Sequence, residues 1–164
     1  MVIFIGGLIG TGKTSLAKAL AKKLDFYYYD VDQTKKEIYP TDPNYEYNLK
    51  NNIPFSDETR AKTFNKVVAD FALLTPKHQH IIVDETLHKK SLRQILFTGA
   101  EKYFGKYLIV WVKADEAVIK NRLTQQRDGH ILKDAYGMYL AFKKQFEDFD
   151  HVDIVFENNN TLPE

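Results

Sequence analysis

The chain has 164 residues, of which 44% are hydrophobic and 27% are charged, and its formal net charge at pH 7 is +1. This length fits one domain whose core is large enough to be stable without covalent cross-links. The chain has no cysteine, which excludes disulfides and thiolate metal sites and suits a reducing compartment. The nearly balanced charge is not that of a strongly basic nucleic-acid-binding domain, and no apolar segment approaches a membrane-spanning length.

Apolar runs of strand length alternate with stretches of helical periodicity, which predicts an α/β fold with a parallel sheet covered by helices on both faces. Strands are predicted at residues 2–6, 26–29, 81–84, 107–113 and 152–156. Helices are predicted at residues 12–24, 33–39, 57–74, 89–105, 116–127 and 134–149. Residues 40–54 are polar and interrupted by proline, which predicts an irregular segment over the rim of a binding site.

Residues 7–14 read Gly-Leu-Ile-Gly-Thr-Gly-Lys-Thr, the complete pattern G-x-x-x-x-G-K-[ST], and they lie between a predicted strand and a predicted helix. Gly7 and Gly12 let the backbone turn tightly, so that its N–H groups point at the phosphates of a nucleotide. Lys13 is expected to reach the β- and γ-phosphates and Thr14 to bind Mg²⁺. Further nucleotide contacts are predicted for Gly10, Thr11 and Ser15. The alternative is a glycine-rich turn that binds no phosphate.

Two carboxylates, Asp30 and Asp32, follow the second predicted strand. Ligands of open α/β sheets bind beyond the carboxyl ends of the strands, so both side chains are expected beside the phosphate-binding loop. Asp32 is the predicted general base that orients an acceptor hydroxyl and takes its proton, with Asp30 as the alternative base. The alternative role of Asp32 is to cap the helix that begins near Gln33.

The third predicted strand is apolar and ends in Asp84. An aspartate at this place in a nucleotide-binding sheet holds Mg²⁺, directly or through water. Glu85 follows immediately, and because a glutamate there often activates water, Glu85 favours the alternative of a hydrolase. Other side chains show no metal-ligand spacing and are predicted to be surface or turn residues: His78, His80, His88 and His151.

Arginines are candidates for contacts with anionic ligands. Arg122 and Arg127 lie near the end of a predicted helix, beside a glycine-containing turn, where either could neutralise charge on a transferring phosphoryl group. The alternative is that both are solvated cations near a helix C-terminus. Arg60 lies in the first turn of a predicted helix, where the helix dipole does not favour a cation, so it is predicted to bind an acceptor ligand.

With these motifs together, the chain resembles the small P-loop kinases related to nucleoside monophosphate kinases. The resemblance is to the branch that contains gluconate kinase, shikimate kinase, antibiotic phosphotransferases and the kinase domain of polynucleotide kinase. It rests on residues 7–14, 30–32, 83–86 with 89–93, and 122–123 with 127–130. It implies a P-loop NTPase fold over residues 1–164 as a single domain, a three-layer sandwich whose five-stranded parallel sheet has the order 2-3-1-4-5.

The resemblance also implies ATP and Mg²⁺ as cofactors and an acceptor site after the second strand. Its residues are Asp30, Asp32, Lys35 and Arg60. It implies an acceptor-site rim at residues 40–60, a lid at residues 127–135 in which Arg127 meets the phosphates, and an adenine contact from residues 158–160. The sequence departs from the family where Lys35 and Lys36 stand in place of an arginine, because a lysine lacks the bidentate fork.

The predicted function is an ATP-dependent kinase that transfers a γ-phosphoryl group to a hydroxyl or phosphate of a small metabolite, nucleoside or nucleotide. Lys13, Asp32 and Arg127 are the predicted catalytic residues. One alternative is a polynucleotide 5′-hydroxyl kinase, which the neutral charge disfavours. Others are an ATP-binding regulatory module and an ATPase without an acceptor. The chain is expected to be cytoplasmic, without membrane association, and a monomer or small homo-oligomer.

Overall fold

The structure, a computed structural model, describes residues 1–125 and 134–159. A parallel sheet lies at its centre, with strands β1 (Val2–Gly6), β2 (Tyr27–Tyr29), β3 (Ile81–Glu85), β4 (Tyr107–Lys113) and β5 (Ile154–Glu157). The strand order is β2-β3-β1-β4-β5, and every neighbouring pair in it is parallel. The predicted sheet and its predicted strand order are therefore confirmed.

The helices are α1 (Lys13–Leu24), α2 (Val31–Ile38), α3 (Tyr45–Asn51), α4 (Asp57–Leu74), α5 (Lys90–Phe104), α6 (Glu116–Thr124) and α7 (Ala135–Lys144). A short 3-10 turn, Tyr39–Thr41, follows α2. Among the described residues, no helix is both long and apolar enough to cross a bilayer.

The two faces of the sheet are buried in separate clusters of side chains. Val2 and Phe4 of β1 belong to the larger cluster, with residues of α4 and α5. Ile3 and Ile5 belong to the smaller cluster, with Ala17 of α1. Successive side chains of a strand point to opposite faces, so this alternation means that helices cover β1 on both sides. The predicted three-layer arrangement is thereby confirmed.

The prediction that residues 40–54 are irregular is wrong, because the segment contains α3 and most of the 3-10 turn. Its prolines lie outside α3, and Pro40 stands at the start of the 3-10 turn, where a missing N–H costs nothing. The carboxylate of Asp42 accepts hydrogen bonds from the Asn44 N–H (2.8 Å) and the Thr59 hydroxyl (2.5 Å), which ties this segment to α4.

Several predicted boundaries shift by a few residues. The second helix begins at Val31 instead of residue 33, and the last helix ends at Lys144 instead of residue 149. The last strand begins at Ile154 instead of residue 152. The predicted lid at residues 127–135 lies outside the described residues except for its last two positions, and so does Arg127.

Candidate active site

The phosphate-binding loop connects β1 to α1 through backbone conformations that suit glycine. Gly10 and Gly12 have φ angles of 83° and 88°, in the left-handed region. Gly12 is the N-cap residue of α1, and within the described part of the chain no side chain caps this helix. The first N–H groups of α1 are therefore available to an anion, and the helix dipole favours negative charge there.

The loop is also tight enough to exclude a side chain at Gly7. A Cβ atom there would lie 2.5 Å from the Thr11 hydroxyl and 2.9 Å from the Val112 carbonyl oxygen. Thr11 is buried, and its hydroxyl donates to the Leu8 carbonyl at 2.8 Å. The loop is thus braced against β4, the neighbour of β1 in the sheet.

Two side chains from the C-terminal half of the chain contact carbonyl groups of this loop. Asn158 donates through Nδ2 to the Thr11 carbonyl at 2.8 Å. Arg122 donates through its guanidinium to the Gly10 carbonyl (3.2 Å) and the Asn158 carbonyl (3.0 Å). Arg122, predicted to meet phosphates, therefore lies directly on the loop. Asn158, predicted to lie near adenine, is buried against the same loop.

Asp84 lies at the carboxyl end of β3, opposite Ile5 of β1, and so next to the start of the loop. The Thr14 hydroxyl donates to Asp84 Oδ2 at 2.5 Å, and the Tyr28 hydroxyl donates to Asp84 Oδ1 at 2.6 Å. Lys13 forms no ion pair within the described residues. The predicted metal-binding pair, Thr14 and Asp84, is therefore in contact, and no carboxylate of residues 1–125 or 134–159 neutralises the Lys13 ammonium.

The hydroxyl oxygen of Thr14 and the carboxylate of Asp84 are suitable ligands for Mg²⁺. The described residues contain no group of three or more His, Cys, Asp or Glu side chains arranged as a metal site. Mg²⁺ in nucleotide sites does not need such a group, because it takes one or two protein oxygens together with waters and substrate phosphates. A hydroxyl and a carboxylate in contact at the N-terminus of a phosphate-binding helix form a donor set of that kind.

Tyr28 is a neighbour of Asp84 that the sequence interpretation did not assign to the metal-binding end of the sheet. Burial raises the pKa of the Tyr28 hydroxyl, and its hydrogen bond to Asp84 raises it further. The hydroxyl therefore stays protonated and donates to Asp84 at any physiological pH. A tyrosine in a strand gives no local signal for this role, because the pairing depends on the register between β2 and β3.

The first turn of α2 separates the roles of the two aspartates. Asp30 is the N-cap residue, and its carboxylate accepts from the Asp32 N–H at 3.0 Å. The alternative that Asp32 caps this helix is therefore wrong, because the helix begins at Val31. The Asp32 side chain is 73% exposed and lies 3.0 Å from the Lys35 ammonium.

A buried ionic cluster lies beside this turn, at the end of β3. Glu85 is 1% exposed, and its Oε2 lies 2.6 Å from the Lys35 ammonium of α2. Its Oε1 lies 3.7 Å from the Arg60 guanidinium of α4 and accepts from the Thr86 N–H at 2.8 Å. The structure thus brings the predicted acceptor-binding residues Lys35 and Arg60 together, through a carboxylate that the sequence interpretation linked to hydrolysis.

The opposite charges in this cluster stabilise the ionised forms of Glu85 and Lys35. Burial alone would raise the pKa of Glu85, but Lys35 and Arg60 outweigh it and lower that pKa to about 2. Burial is the largest single effect on Lys35 and opposes its charge, but the acidic neighbours, Glu85 first among them, together outweigh burial and raise the pKa of Lys35 above its usual value. Glu85 and Lys35 are therefore both charged at neutral pH.

His88 extends the cluster, and the prediction that it is a surface or turn residue is wrong. It is 1% exposed, its Nδ1 lies 3.3 Å from Arg60 Nη2, and its ring meets the Phe142 ring edge-on at 4.6 Å. Burial, followed by the charge of Arg60, lowers the pKa of His88 to about 3. Because a guanidinium only donates, Nδ1 accepts and the proton of the neutral ring lies on Nε2.

Arg60 is held from several sides. Its guanidinium lies over the Phe142 ring of α7 at 5.0 Å, in addition to its contacts with Glu85 and His88. Arg60 Nε and His88 Nε2 are buried and have no hydrogen-bond partner among the described residues. A buried donor without a partner carries a cost of about 1–3 kcal/mol. The cluster therefore contains donors that a ligand oxygen or an ordered water can satisfy.

Known proteins resemble the chain along most of its length. An adenylate kinase of Mesomycoplasma hyopneumoniae is 24% identical over 161 residues, which cover 97% of this chain and 74% of that protein. A probable gluconokinase of Mus musculus is 26% identical over 148 residues, with 80% of this chain and 74% of that protein covered. The crystal structure of a sugar kinase from a Janibacter species matches with a TM-score of 0.74 at 18% identity, covering 95% of this chain and 84% of that chain.

These similarities confirm the predicted resemblance to P-loop kinases of the nucleoside-monophosphate-kinase type. The structural match to the sugar kinase, at 18% identity, shows a shared fold and no more. A family model described as an AAA domain matches residues 2–135, which contain the phosphate-binding loop and the strand that ends in Asp84. The chain therefore belongs to this AAA domain family of P-loop proteins.

Proposed function

We propose that the chain is an ATP-dependent kinase that transfers the γ-phosphoryl group of ATP to a small metabolite, nucleoside or nucleotide. The observation that carries this proposal is the pairing of Thr14 with Asp84, at 2.5 Å, beside an uncapped helix N-terminus. The kinase names of relatives that match 97% and 80% of the chain support the same activity.

On the nucleotide side, the N–H groups at the start of α1 and the Lys13 ammonium bind the β- and γ-phosphates. Thr14 and Asp84 hold Mg²⁺, which when bound neutralises charge on the phosphates. Arg122 braces the loop through the Gly10 carbonyl, so that the N–H groups keep their direction. Arg127, which lies outside the described residues, is proposed to meet the phosphates as well.

On the acceptor side, Asp32 is the proposed base that orients the attacking oxygen. Its carboxylate is largely exposed, with Lys35 as its ionic neighbour, whereas the carboxylate of Asp30 is occupied by the N-cap hydrogen bond. We therefore favour Asp32 over Asp30. Lys35 and Arg60 are proposed to line the acceptor site, from α2 and α4.

The hydrolase alternative is less well supported. A glutamate that activates water needs a free carboxylate beside the phosphates, but Glu85 is buried and its oxygens contact Lys35, Arg60 and the Thr86 N–H.

The alternative of a polynucleotide kinase is also less well supported, because a net charge of +1 gives a polynucleotide no long-range attraction.

A labelling experiment tests the proposal. The chain is incubated with γ-labelled ATP, Mg²⁺ and a pooled panel of nucleosides, nucleotides, sugars and sugar acids, with the Lys13→Ala variant in parallel. We expect label in an organic product with the wild-type chain and none with the variant. Label that appears only as inorganic phosphate, at a rate that the panel does not change, would show an ATPase instead.

A further inference from the structure

We infer that the acceptor atom is the oxygen of a hydroxyl group, on a molecule that is uncharged or carries one negative charge at the end that contacts Lys35 and Arg60. This inference rests on the proposed kinase function and narrows its acceptor class. It excludes a phosphate as the attacking group. The reason is the balance of charge around Glu85.

The cations that face this site are already paired. The Lys35 ammonium lies 2.6 Å from Glu85 Oε2, and the Arg60 guanidinium lies 3.7 Å from Glu85 Oε1. Glu85 is buried, and its carboxylate is paired with both of these cations. A buried carboxylate between two cations cancels part of the field that each would offer to a ligand.

A second carboxylate, that of Asp32, offsets the positive charge that Glu85 leaves on the two cations. Asp32 Oδ1 lies 3.0 Å from the Lys35 ammonium, so that Lys35 bridges Asp32 and Glu85. Two further titratable side chains beside these residues, His88 and Tyr39, are neutral, because burial lowers the pKa of His88 and raises the pKa of Tyr39. The charges of Lys35 and Arg60 sum to +2 and those of Asp32 and Glu85 sum to −2, so the group is neutral overall.

A phosphate group does not suit such a site. A phosphomonoester carries a charge of about −1.5 to −2 at pH 7, and the cations that would bind it are shared with two carboxylates. Asp30 adds a further carboxylate at the start of α2. An acceptor phosphate would therefore approach acidic side chains without a matching excess of positive charge.

A hydroxyl acceptor suits the same residues. Arg60 Nε and His88 Nε2 are buried donors without partners among the described residues, and each can donate to a hydroxyl or carboxylate oxygen. An alcohol must also lose a proton as it attacks, whereas an ionised phosphate has no proton to lose. The exposed carboxylate of Asp32 can therefore act as a base for a hydroxyl acceptor, whereas a phosphate acceptor needs no base.

The acceptor oxygen forms a bond to the γ-phosphorus, while the bond from this phosphorus to the β–γ bridging oxygen breaks. ADP leaves with that oxygen, and the proton of the acceptor hydroxyl passes to Asp32. The product is a phosphomonoester and not a phosphoanhydride.

The first test identifies the bond that the enzyme makes. The wild-type chain is given ATP, Mg²⁺ and matched acceptors, each nucleoside beside its own 5′-monophosphate and each sugar beside its sugar acid, and products are read by ³¹P NMR. We expect phosphomonoester signals only. Formation of a nucleoside diphosphate from a monophosphate would overturn the inference and leave the kinase proposal standing. If no acceptor gives a product, the kinase proposal itself is refuted.

The second test changes the charge balance without requiring turnover. Adenosine 5′-monophosphate is titrated by calorimetry into the wild-type chain and the Glu85→Gln and Asp32→Asn variants. We expect each variant to bind this phosphate at least about 5-fold more tightly than wild type, because one negative charge has been removed. The control is Glu58→Gln, which changes a 78% exposed carboxylate on α4 that pairs with Lys62.

Thermal melting of all four proteins reports whether each is folded. Asp32 is exposed, so its variant remains informative if Glu85→Gln proves unstable. Equal affinities in wild type, control and folded variants would overturn the inference, because the carboxylates would then have no influence on a phosphate ligand.

Discussion

The ammonium of Lys35 lies 2.6 Å from a carboxylate oxygen of Glu85, a residue that is 1% exposed. The two residues come from α2 and from the end of β3, and their contact joins the proposed acceptor side of the site to the strand that carries Asp84. One buried carboxylate thus fixes the position of Lys35, faces Arg60 and limits the positive charge that both can offer to a ligand.

Removal of this carboxylate is expected to destabilise the fold. Glu85→Ala leaves Lys35 and Arg60 without their shared partner, and breaking a buried ion pair from one side costs about 3–5 kcal/mol. The free energy of unfolding in urea measures the effect. Glu58→Ala, on an exposed pair, is expected to change it by less than about 1 kcal/mol. Equal losses in the two variants would contradict this role of Glu85.

The same residue predicts how stability depends on pH. The pKa of Glu85 falls from 4.5 to about 2 on folding. A group with a lowered folded pKa stabilises the protein above its unfolded pKa, and this contribution is lost as pH falls through the folded value. Urea unfolding at several pH values should therefore show that the stability difference between wild type and Glu85→Gln shrinks between pH 4.5 and about 2. A difference that stays constant over this window would contradict the shifted pKa.

Lys13 and Asp32 are expected to affect different steps. Lys13→Ala should lower phosphoryl transfer and weaken ATP binding, because the ammonium is proposed to contact the phosphates in both the ground state and the transition state. Asp32→Asn should lower kcat by about 10²–10⁴-fold with little change in ATP affinity, as expected for the loss of a general base. Steady-state kinetics and ATP titrations measure both effects. Lys22→Ala, on the exposed side of α1, is the matched control. Full turnover in Asp32→Asn would show that another residue takes the proton.

Asp84 predicts a metal dependence. Asp84→Asn should raise the Mg²⁺ concentration needed for half-maximal transfer by about 10-fold or more, because carboxylate oxygens are preferred ligands of this ion. A titration of activity with Mg²⁺ at saturating ATP measures the shift. Asp115→Asn, at the N-cap position of α6, serves as a control. An unchanged Mg²⁺ requirement would rule out Asp84 as a ligand.

His88 is expected to position Arg60 through the contact between its Nδ1 and Arg60 Nη2 at 3.3 Å. Asparagine places an accepting oxygen near Nδ1, whereas leucine places none. His88→Leu should therefore raise KM for the acceptor by about 10-fold, as for one lost hydrogen bond to a charged group, without changing KM for ATP. His88→Asn should recover the part of this loss that comes from the contact with Arg60. If the two variants are equally impaired, the hydrogen bond is not what matters at this position.

The sequence is sufficient for those parts of the fold that depend on local patterns. Apolar runs such as residues 108–112 identify strands, and the glycines and lysine of residues 7–14 identify the loop, because both signals lie within a few consecutive residues. The strand order comes from the resemblance, which the sheet confirms. The wrong prediction for residues 40–54 treated prolines at the borders of a helix as if they were inside it.

The charged cluster could not be predicted in the same way. Lys35 and Glu85 are 50 positions apart, and Arg60 and His88 are separated by 28 positions, so only the packing of α2 and α4 against the end of β3 brings them together. The histidine has no spacing signal of its own. The N-cap role of Asp30 was also missed, since two aspartates with one residue between them are both plausible caps.

Whether the chain is an acceptor-dependent kinase is measured by the rate of ADP formation with and without an acceptor that the labelling panel identifies. A kinase with this site should form one phosphomonoester for each ADP released, and ADP formation should fall to a small residual rate when the hydroxyl acceptor is omitted. ADP formation at the same rate without any acceptor would show that the chain is an ATPase, because the cluster around Glu85 would then have no acceptor to hold.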